Sequence, residues 1–168
     1  MIREISHLNH SVFRNLGLSI SDIIPDLECD EYFGFNFKIN DQKIKFRKSK
    51  LTPKKTGQFV TFWKRDSDGK TVPFDVQDDF DFYIIWIEEN QNSGFFIFPK
   101  HILKKENLIS GHLKSGKRGF RIYADWHKTE NKQAGKTQLW QTEYFISGSE
   151  KETEMPGKFD KIFSAKRS

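Results

Sequence analysis

The 168 residues hold a single cysteine, Cys29, so no disulfide can close within the chain, and a cysteine-based zinc site would need most of its ligands from elsewhere. The lone thiol reads as a small core residue. No apolar run approaches the ~20 residues that span a bilayer. The opening MIREISHLNHSVFRNLG carries polar or charged residues every few positions, where a signal peptide has its apolar centre. A cytoplasmic protein without a membrane segment is expected. Catalytic signatures are equally scarce. Gly135-Lys136-Thr137 ends like a phosphate-binding loop, but that pattern needs a glycine at 130, where Glu130 stands. His101, His112 and His127 are scattered, with no nucleophile elbow near them. His7 and His10 lie a helical turn apart without a third ligand and read as a solvated helix face. The most informative absence is local: from Gln42 to Arg65 there is no Asp or Glu, while Lys43, Lys45, Arg47, Lys48, Lys50, Lys54, Lys55, Lys64 and Arg65 all fall in that stretch.

What is present suits one globular domain. A composition of 36% hydrophobic and 15% aromatic residues supports a fold that removes roughly 70% of its unfolded surface from water. The net charge of +5 understates the segregation along the chain. After the basic stretch, Asp66, Asp68, Asp75, Asp78, Asp79, Asp81, Glu88 and Glu89 face only Lys70, and residues 100–136 are again mostly basic. Residues 1–146 are expected to form the single domain, and 147–168 a polar, loosely ordered tail.

Ile2, Ile5, Leu8, Val12, Phe13 and Leu16 recur at helical spacing, with Gly17 as the stop. Ser19 to Asp22 is expected to cap a short turn ending at Pro25. From Glu31 the period becomes that of strands: FGFNFKIN and KIKFRKSK read as a hairpin, QFVTFWKR as one further strand, and FDFYIIWIEE as a central one because it is almost continuously apolar. A turn at Asn90 to Gly94, a strand FFIFP, a short helix HILKKENL, a strand GKRGFRIYAD and a helix KTQLWQTEYF complete the order. One helix, then strands, then strands mixed with helices predicts an α+β domain around a mixed central sheet flanked by helices.

Side chains alternate along a strand, so Ile44, Phe46, Lys48 and Lys50 share one face, which turns from apolar to cationic at its end. The continuation through Lys54, Lys55, Lys64 and Arg65, with Ser, Thr, Gln and Trp63 among them, matches the surface chemistry that positions a phosphate backbone. Lys117, Arg118 and Arg121 around Gly116 and Gly119 extend the same chemistry, although a lysine-rich hairpin turn explains them equally well. Most of the many aromatic residues, the four tryptophans included, belong to the core.

The segments KFRKSKLTPKKTGQFVTFWKR, PFD at Pro73 to Asp75, DFYIIWI, FFIFPKHIL, GKRGFRIY and KTQLWQTEYF closely resemble the MepB protein family, in order, from about Glu31 to Phe145. The resemblance implies a restriction-endonuclease-like, or PD-(D/E)XK, architecture and an association with a multidrug efflux operon. Active nucleases of that architecture hold Mg²⁺ with an upstream Asp and the acid of a D/E-x-K element. With Lys50 aligned to the motif lysine, Lys48 stands where the acid belongs, leaving Asp30 or Glu31 as the upstream carboxylate of a vestigial site. Asp41-Gln-Lys43, Asp68-Gly-Lys70 and Glu130-Asn-Lys132 also fit the short pattern, but they fall in turns. An ammonium can neutralise a phosphate as Mg²⁺ would, so binding would survive without cleavage.

The sequence therefore points to a sequence-nonspecific nucleic-acid-binding protein with duplex DNA as ligand. No catalytic residues, metal or cofactor are expected. Its phosphate contacts would come from Arg47, Lys48, Lys50, Lys54, Lys55, Lys64 and Arg65, joined by Lys117, Arg118 and Arg121. The alternative is a divergent Mg²⁺-dependent nuclease, or an enzyme acting on nucleotides or phosphorylated nucleosides, linked to drug resistance.

Overall fold

The computed structural model describes residues 2–151 and 153–165. In chain order the strands are β1 (Ile20–Pro25), β2 (Phe35–Ile39), β3 (Gln42–Lys48), β4 (Lys50–Leu51), β5 (Gln58–Thr61) and β6 (Trp63–Arg65). They continue with β7 (Thr71–Pro73), β8 (Phe82–Glu89), β9 (Asn92–Pro99), β10 (Gly119–Ile122) and β11 (Phe145–Ser147). The helices are α1 (Arg3–Leu8), α2 (Lys100–Lys105), α3 (Lys132–Thr142) and α4 (Met155–Phe163). A six-stranded mixed sheet in the order β1-β2-β3-β8-β9-β11 forms the centre, beside a three-stranded sheet β10-β5-β4 and the hairpin β6-β7. The expected α+β domain with a mixed sheet between helices is the one observed. Among the described residues no helix is long and apolar enough to cross a membrane.

β8 is as central as its apolar run predicts. It pairs parallel with β3, placing Arg47 opposite Ile85 and Lys48 opposite Trp86, and antiparallel with β9. Parallel neighbours need a crossover, and residues 49–81 supply it while building β4, β5, β6 and β7. One face of the central sheet packs Ile44, Phe46, Ile84, Trp86, Phe95 and Ile97 against α1 and α4. The other packs Tyr83, Ile85, Ile87, Phe96 and Phe98 against Val60, Phe62, Phe120 and Ile122 of the second sheet and its neighbour. Phe62 stacks on Tyr83 with ring centroids 4.1 Å apart.

The amphipathic opening segment is helical throughout, but α1 passes into a π turn at Asn9–Phe13 and a 3₁₀ turn at Arg14–Leu16. The wider turn lets three consecutive residues, Ser11, Val12 and Phe13, all be buried. Gly17 ends it in the left-handed region at φ 68°.

Four expectations are corrected. Residues 19–25 form the edge strand β1, not a turn; its irregular register between Ser21 and Ile24 hides the period of two, and Pro25 is tolerated at the strand's end. QFVTFWKR breaks at the buried Phe62 into β5 and β6, which belong to different sheets. Helix α3 stops at Thr142, so Phe145 opens β11 instead. Lastly, the segment expected to be a loose tail contains α4, whose Met155 and Phe159 are buried, with Phe159 against Phe13 and Phe95. Lys166 to Ser168 and Glu152 of that segment lie outside the described residues.

Candidate functional site

The basic stretch separates into groups with different fates. Arg47 lies on the β3 face covered by the second sheet and is 1% exposed. Its Nη2 meets Asp26 Oδ2 at 2.5 Å and its Nη1 donates to the Phe46 carbonyl at 2.8 Å. A buried guanidinium so held fixes structure and is unavailable to a phosphate, which removes Arg47 from the expected contacts. Lys45, on the same face, donates to Asn36 at 3.2 Å and lies over the Phe74 ring. Burial, with the Arg47 charge adding to it, pushes the Lys45 ammonium pKa down.

Lys48 projects to the opposite face, toward α1. Its Nζ is 3.0 Å from Glu4 and 3.5 Å from Glu88, and Arg3 closes the cluster at 3.1 Å from Glu4 and 2.7 Å from Glu88. Trp86 Nε1 also donates to Glu88, at 2.8 Å. Burial alone would raise the Glu4 carboxyl pKa; its own backbone N–H and the Lys48 and Arg3 side chains outweigh that and hold it below the usual range. The carboxylates that meet Lys48 are therefore not the expected ones. Asp30 and Glu31 are exposed on the 3₁₀ turn Leu27–Tyr32 and make no ion pair among the described residues, whereas Glu4 and Glu88 converge on Lys48. Glu4 left no signal, because an acid in a helix's first turn reads as dipole compensation. These residues do not fit Mg²⁺: two carboxylates are present, but two cations already occupy the space between them. Among the described residues no group of three or more His, Cys, Asp or Glu could hold a metal ion.

Beside this cluster a second polar row is fully engaged. Ser49 donates to Gln58 at 2.8 Å, and Gln58 Nε2 donates to the Glu88 carbonyl at 2.6 Å. His127 Nδ1 accepts from the Ala124 amide at 2.9 Å, so Nε2 carries the proton and donates to Glu89 at 3.0 Å. With both ring nitrogens used, His127 has no basic lone pair to offer a substrate.

The remaining cations surround the second sheet. Lys64 pairs with Asp78 at 2.8 Å, which competes with any phosphate. Arg121 donates from Nη2 to Thr52 Oγ1 at 2.9 Å and to the Thr56 carbonyl at 2.7 Å, so its guanidinium clamps the β4–β5 loop that carries Lys54 and Lys55. Arg65 lies over Trp63 and donates to the Gly69 carbonyl at 3.0 Å. Lys50, Lys54, Lys55, Lys117 and Arg118 are exposed and make no ion pair among the described residues. They occupy β4, the loop after it and the residues leading into β10. A groove of about 560 Å³ between β10 and α3 is lined by Lys117, Arg121, Tyr123, Lys136 and Trp140. A recess of about 260 Å³ shares Arg121 and Tyr123 with it and adds Lys55. Sequence reasoning missed Lys136, having considered it only within a failed phosphate-loop pattern. Its place four residues before Trp140 on one helix face was the available signal.

Fold and site together define an α+β domain with a cation-filled carboxylate cluster at one end of its central sheet and an exposed cationic second sheet. The chain belongs to the MepB-like family, whose family model matches residues 26–147. The crystal structure of MepB is similar to it with a TM-score of 0.78 and 28% sequence identity, covering 90% of this chain and 100% of that one. The bacterial homing endonuclease I-Ssp6803I aligns with a TM-score of 0.43 and 14% identity, over 82% of this chain and 84% of its own. No curated protein matches the chain.

Proposed function

We propose that this protein binds the phosphate backbone of nucleic acid, duplex DNA by default, without sequence specificity and without a metal ion, in the cytoplasm. The observation that carries the reading is the sorting of its cations. Arg47, Lys48, Lys64 and Arg121 are engaged within the fold, while Lys50, Lys54, Lys55, Lys117 and Arg118 are left exposed around one small sheet. Ammonium and guanidinium groups presented together displace counterions from a polyanion, and that release supplies nonspecific affinity. The groove between β10 and α3 adds Lys136, Tyr123 and Trp140. On this reading the protein is a pseudo-nuclease on a nuclease-like scaffold, with Lys48 and Arg3 standing where a metal would sit. Any service to drug resistance would then run through binding.

The test is fluorescence anisotropy of labelled duplex across a salt series, without added metal. Wild type is expected to bind with an affinity that falls steeply with salt. Lys54→Ala/Lys55→Ala and Lys117→Ala/Arg118→Ala are each expected to make the log–log slope shallower by about 0.9 for every phosphate that the variant no longer neutralises. No binding at low salt, or slopes unchanged in both variants, overturns the proposal. Mg²⁺-dependent cleavage abolished by Glu4→Gln or Glu88→Gln would restore the enzyme reading in its place.

A further inference from the structure

Residues 52–57 join β4 to β5 and carry the exposed Lys54 and Lys55. A surface segment without regular structure, bearing two adjacent like charges, ordinarily belongs to the mobile end of a fold. This one is pinned. Arg121 reaches into it from β10: its Nη2 donates to Thr52 Oγ1 at 2.9 Å, to the Thr56 carbonyl at 2.7 Å and to the Gly57 carbonyl at 3.1 Å, and its Nε donates to the Thr56 carbonyl at 3.2 Å. The clamp therefore joins the first residue of the loop to the last.

Other contacts complete the seat. Thr56 Oγ1 donates to Glu130 Oε1 at 3.1 Å. Gly57, at φ 83°, lies so close to the end of β10 that a Cβ there would stand 2.7 Å from the Ile122 carbonyl oxygen and 2.8 Å from the Tyr123 ring, so only glycine fits. Lys54 adopts the left-handed region at φ 69°, a strain that persists in a residue with a Cβ only where the surroundings enforce it. The strand behind the clamp is held in turn. Gln141 of α3, 1% exposed, donates from Nε2 to the Arg121 carbonyl at 3.0 Å and accepts from the Tyr123 amide at 2.8 Å.

The second pair of exposed cations is fixed to the same strand. Just before β10, the Lys117 amide donates to the Leu108 carbonyl at 3.0 Å and the Arg118 carbonyl accepts from the Phe62 amide at 2.9 Å. Arg121 thereby sets the place of Lys54 and Lys55 relative to Lys117 and Arg118. Its acceptors are a hydroxyl and carbonyls, so the clamp brings no carboxylate into the cationic surface. Holding a loop in its bound shape removes the ordering cost that binding would otherwise carry. We infer that Arg121 is the positioning residue of the phosphate track: it does not touch the ligand, but holds the two cation pairs at a fixed separation so that both meet phosphates without first being ordered. This rests on the phosphate-binding reading and adds to it a residue that acts through others. Lysine cannot substitute, because one ammonium lacks the planar fork that spans Thr52 and Gly57 together.

The experiment measures anisotropy of labelled duplex DNA across the salt series for wild type, Arg121→Lys and Thr52→Val, beside native-state trypsin digestion of the same proteins without DNA. Thr52→Val keeps every charge and the side-chain shape while removing one acceptor of the clamp. Arg121→Lys is expected to bind about 10-fold more weakly at an unchanged log–log slope, because the same phosphates are still neutralised. Thr52→Val should lose about two- to threefold, again at the wild-type slope. Cleavage after Lys54 or Lys55, identified by fragment mass, should be about fivefold faster or more in both variants, each still melting cooperatively above the assay temperature. A direct phosphate contact would instead leave Arg121→Lys at wild-type affinity, since an ammonium also pairs with phosphate. That result, or a loop cut no faster in either variant than in wild type, overturns this inference alone while wild-type binding and its salt dependence stand. Absence of wild-type binding at low salt overturns the phosphate-track reading and this inference together.

Discussion

At the scale of single residues, the chain shows how little a charge count says about where a charge is used. Arg47 and Lys54 stand seven positions apart in one acid-free stretch; the first is a buried strut and the second an exposed loop residue. Alternation assigned Lys48 and Arg47 to opposite faces correctly, but it could not show that the Arg47 face is roofed by a second sheet. The partners that neutralise these cations, Asp26, Glu4 and Glu88, lie outside the basic stretch and reach it only through tertiary packing. Glu4 carries a pH consequence. Against the opposing effect of burial, its own backbone N–H, Lys48 and Arg3 hold its folded-state pKa below the ordinary 4.5. Its contribution to stability is therefore complete above that value and is lost as pH falls below it through the lower folded value. Glu4→Gln should be less stable than wild type at neutral pH, with the gap narrowing toward pH ~3 in urea melts monitored by circular dichroism. An unchanged gap would mean that the cluster does not hold Glu4 ionised.

At the scale of elements, those legible in advance rest on strong local signals. The helical apolar spacing of residues 2–16, the alternation on either side of the β2–β3 hairpin and the unbroken apolar run of β8 each specify one conformation. The failures have physical causes. A register irregularity erased the alternation of β1, and the polar surroundings of α4 masked the spacing of Met155, Phe159, Ile162 and Phe163. That helix covers α1's face of the sheet, and Phe159 is fully buried between Phe13 and Phe95. Phe159→Ala is expected to cost about 3–5 kcal/mol of stability by equilibrium denaturation. Under the proposed function, its affinity for duplex DNA should match wild type where it remains folded, because α4 lies across the central sheet from the exposed cations. A cost below about 1 kcal/mol would show that the helix is dispensable to the core.

At the scale of the whole molecule, a single core-building sheet supports a cationic sheet that contributes its inner residues to the same apolar cluster. The family, the α+β class and the central strand were legible in the sequence. The grouping of exposed cations was not, because β10 joins β5 and β4 from far along the chain. The crossover between β3 and β8 carries a further consequence, for the order of events in folding. Its closure must be accomplished before the parallel pair forms, and β10 can dock on β5 only after the chain has also traversed β9 and α2. Long-range pairings of this kind form late, since the entropy of closing the intervening chain is lost before any contact compensates it. Substitutions in β8 and β9, such as Ile85→Val, should slow refolding, while Phe120→Leu in β10 should act mainly by speeding unfolding, a contrast that stopped-flow chevron plots resolve. A nascent or partly refolded chain would then close its central sheet first, and the late docking of β10 would in one step bury Phe120 and Ile122 and draw Lys117 and Arg118 toward the cations of β4 and its loop.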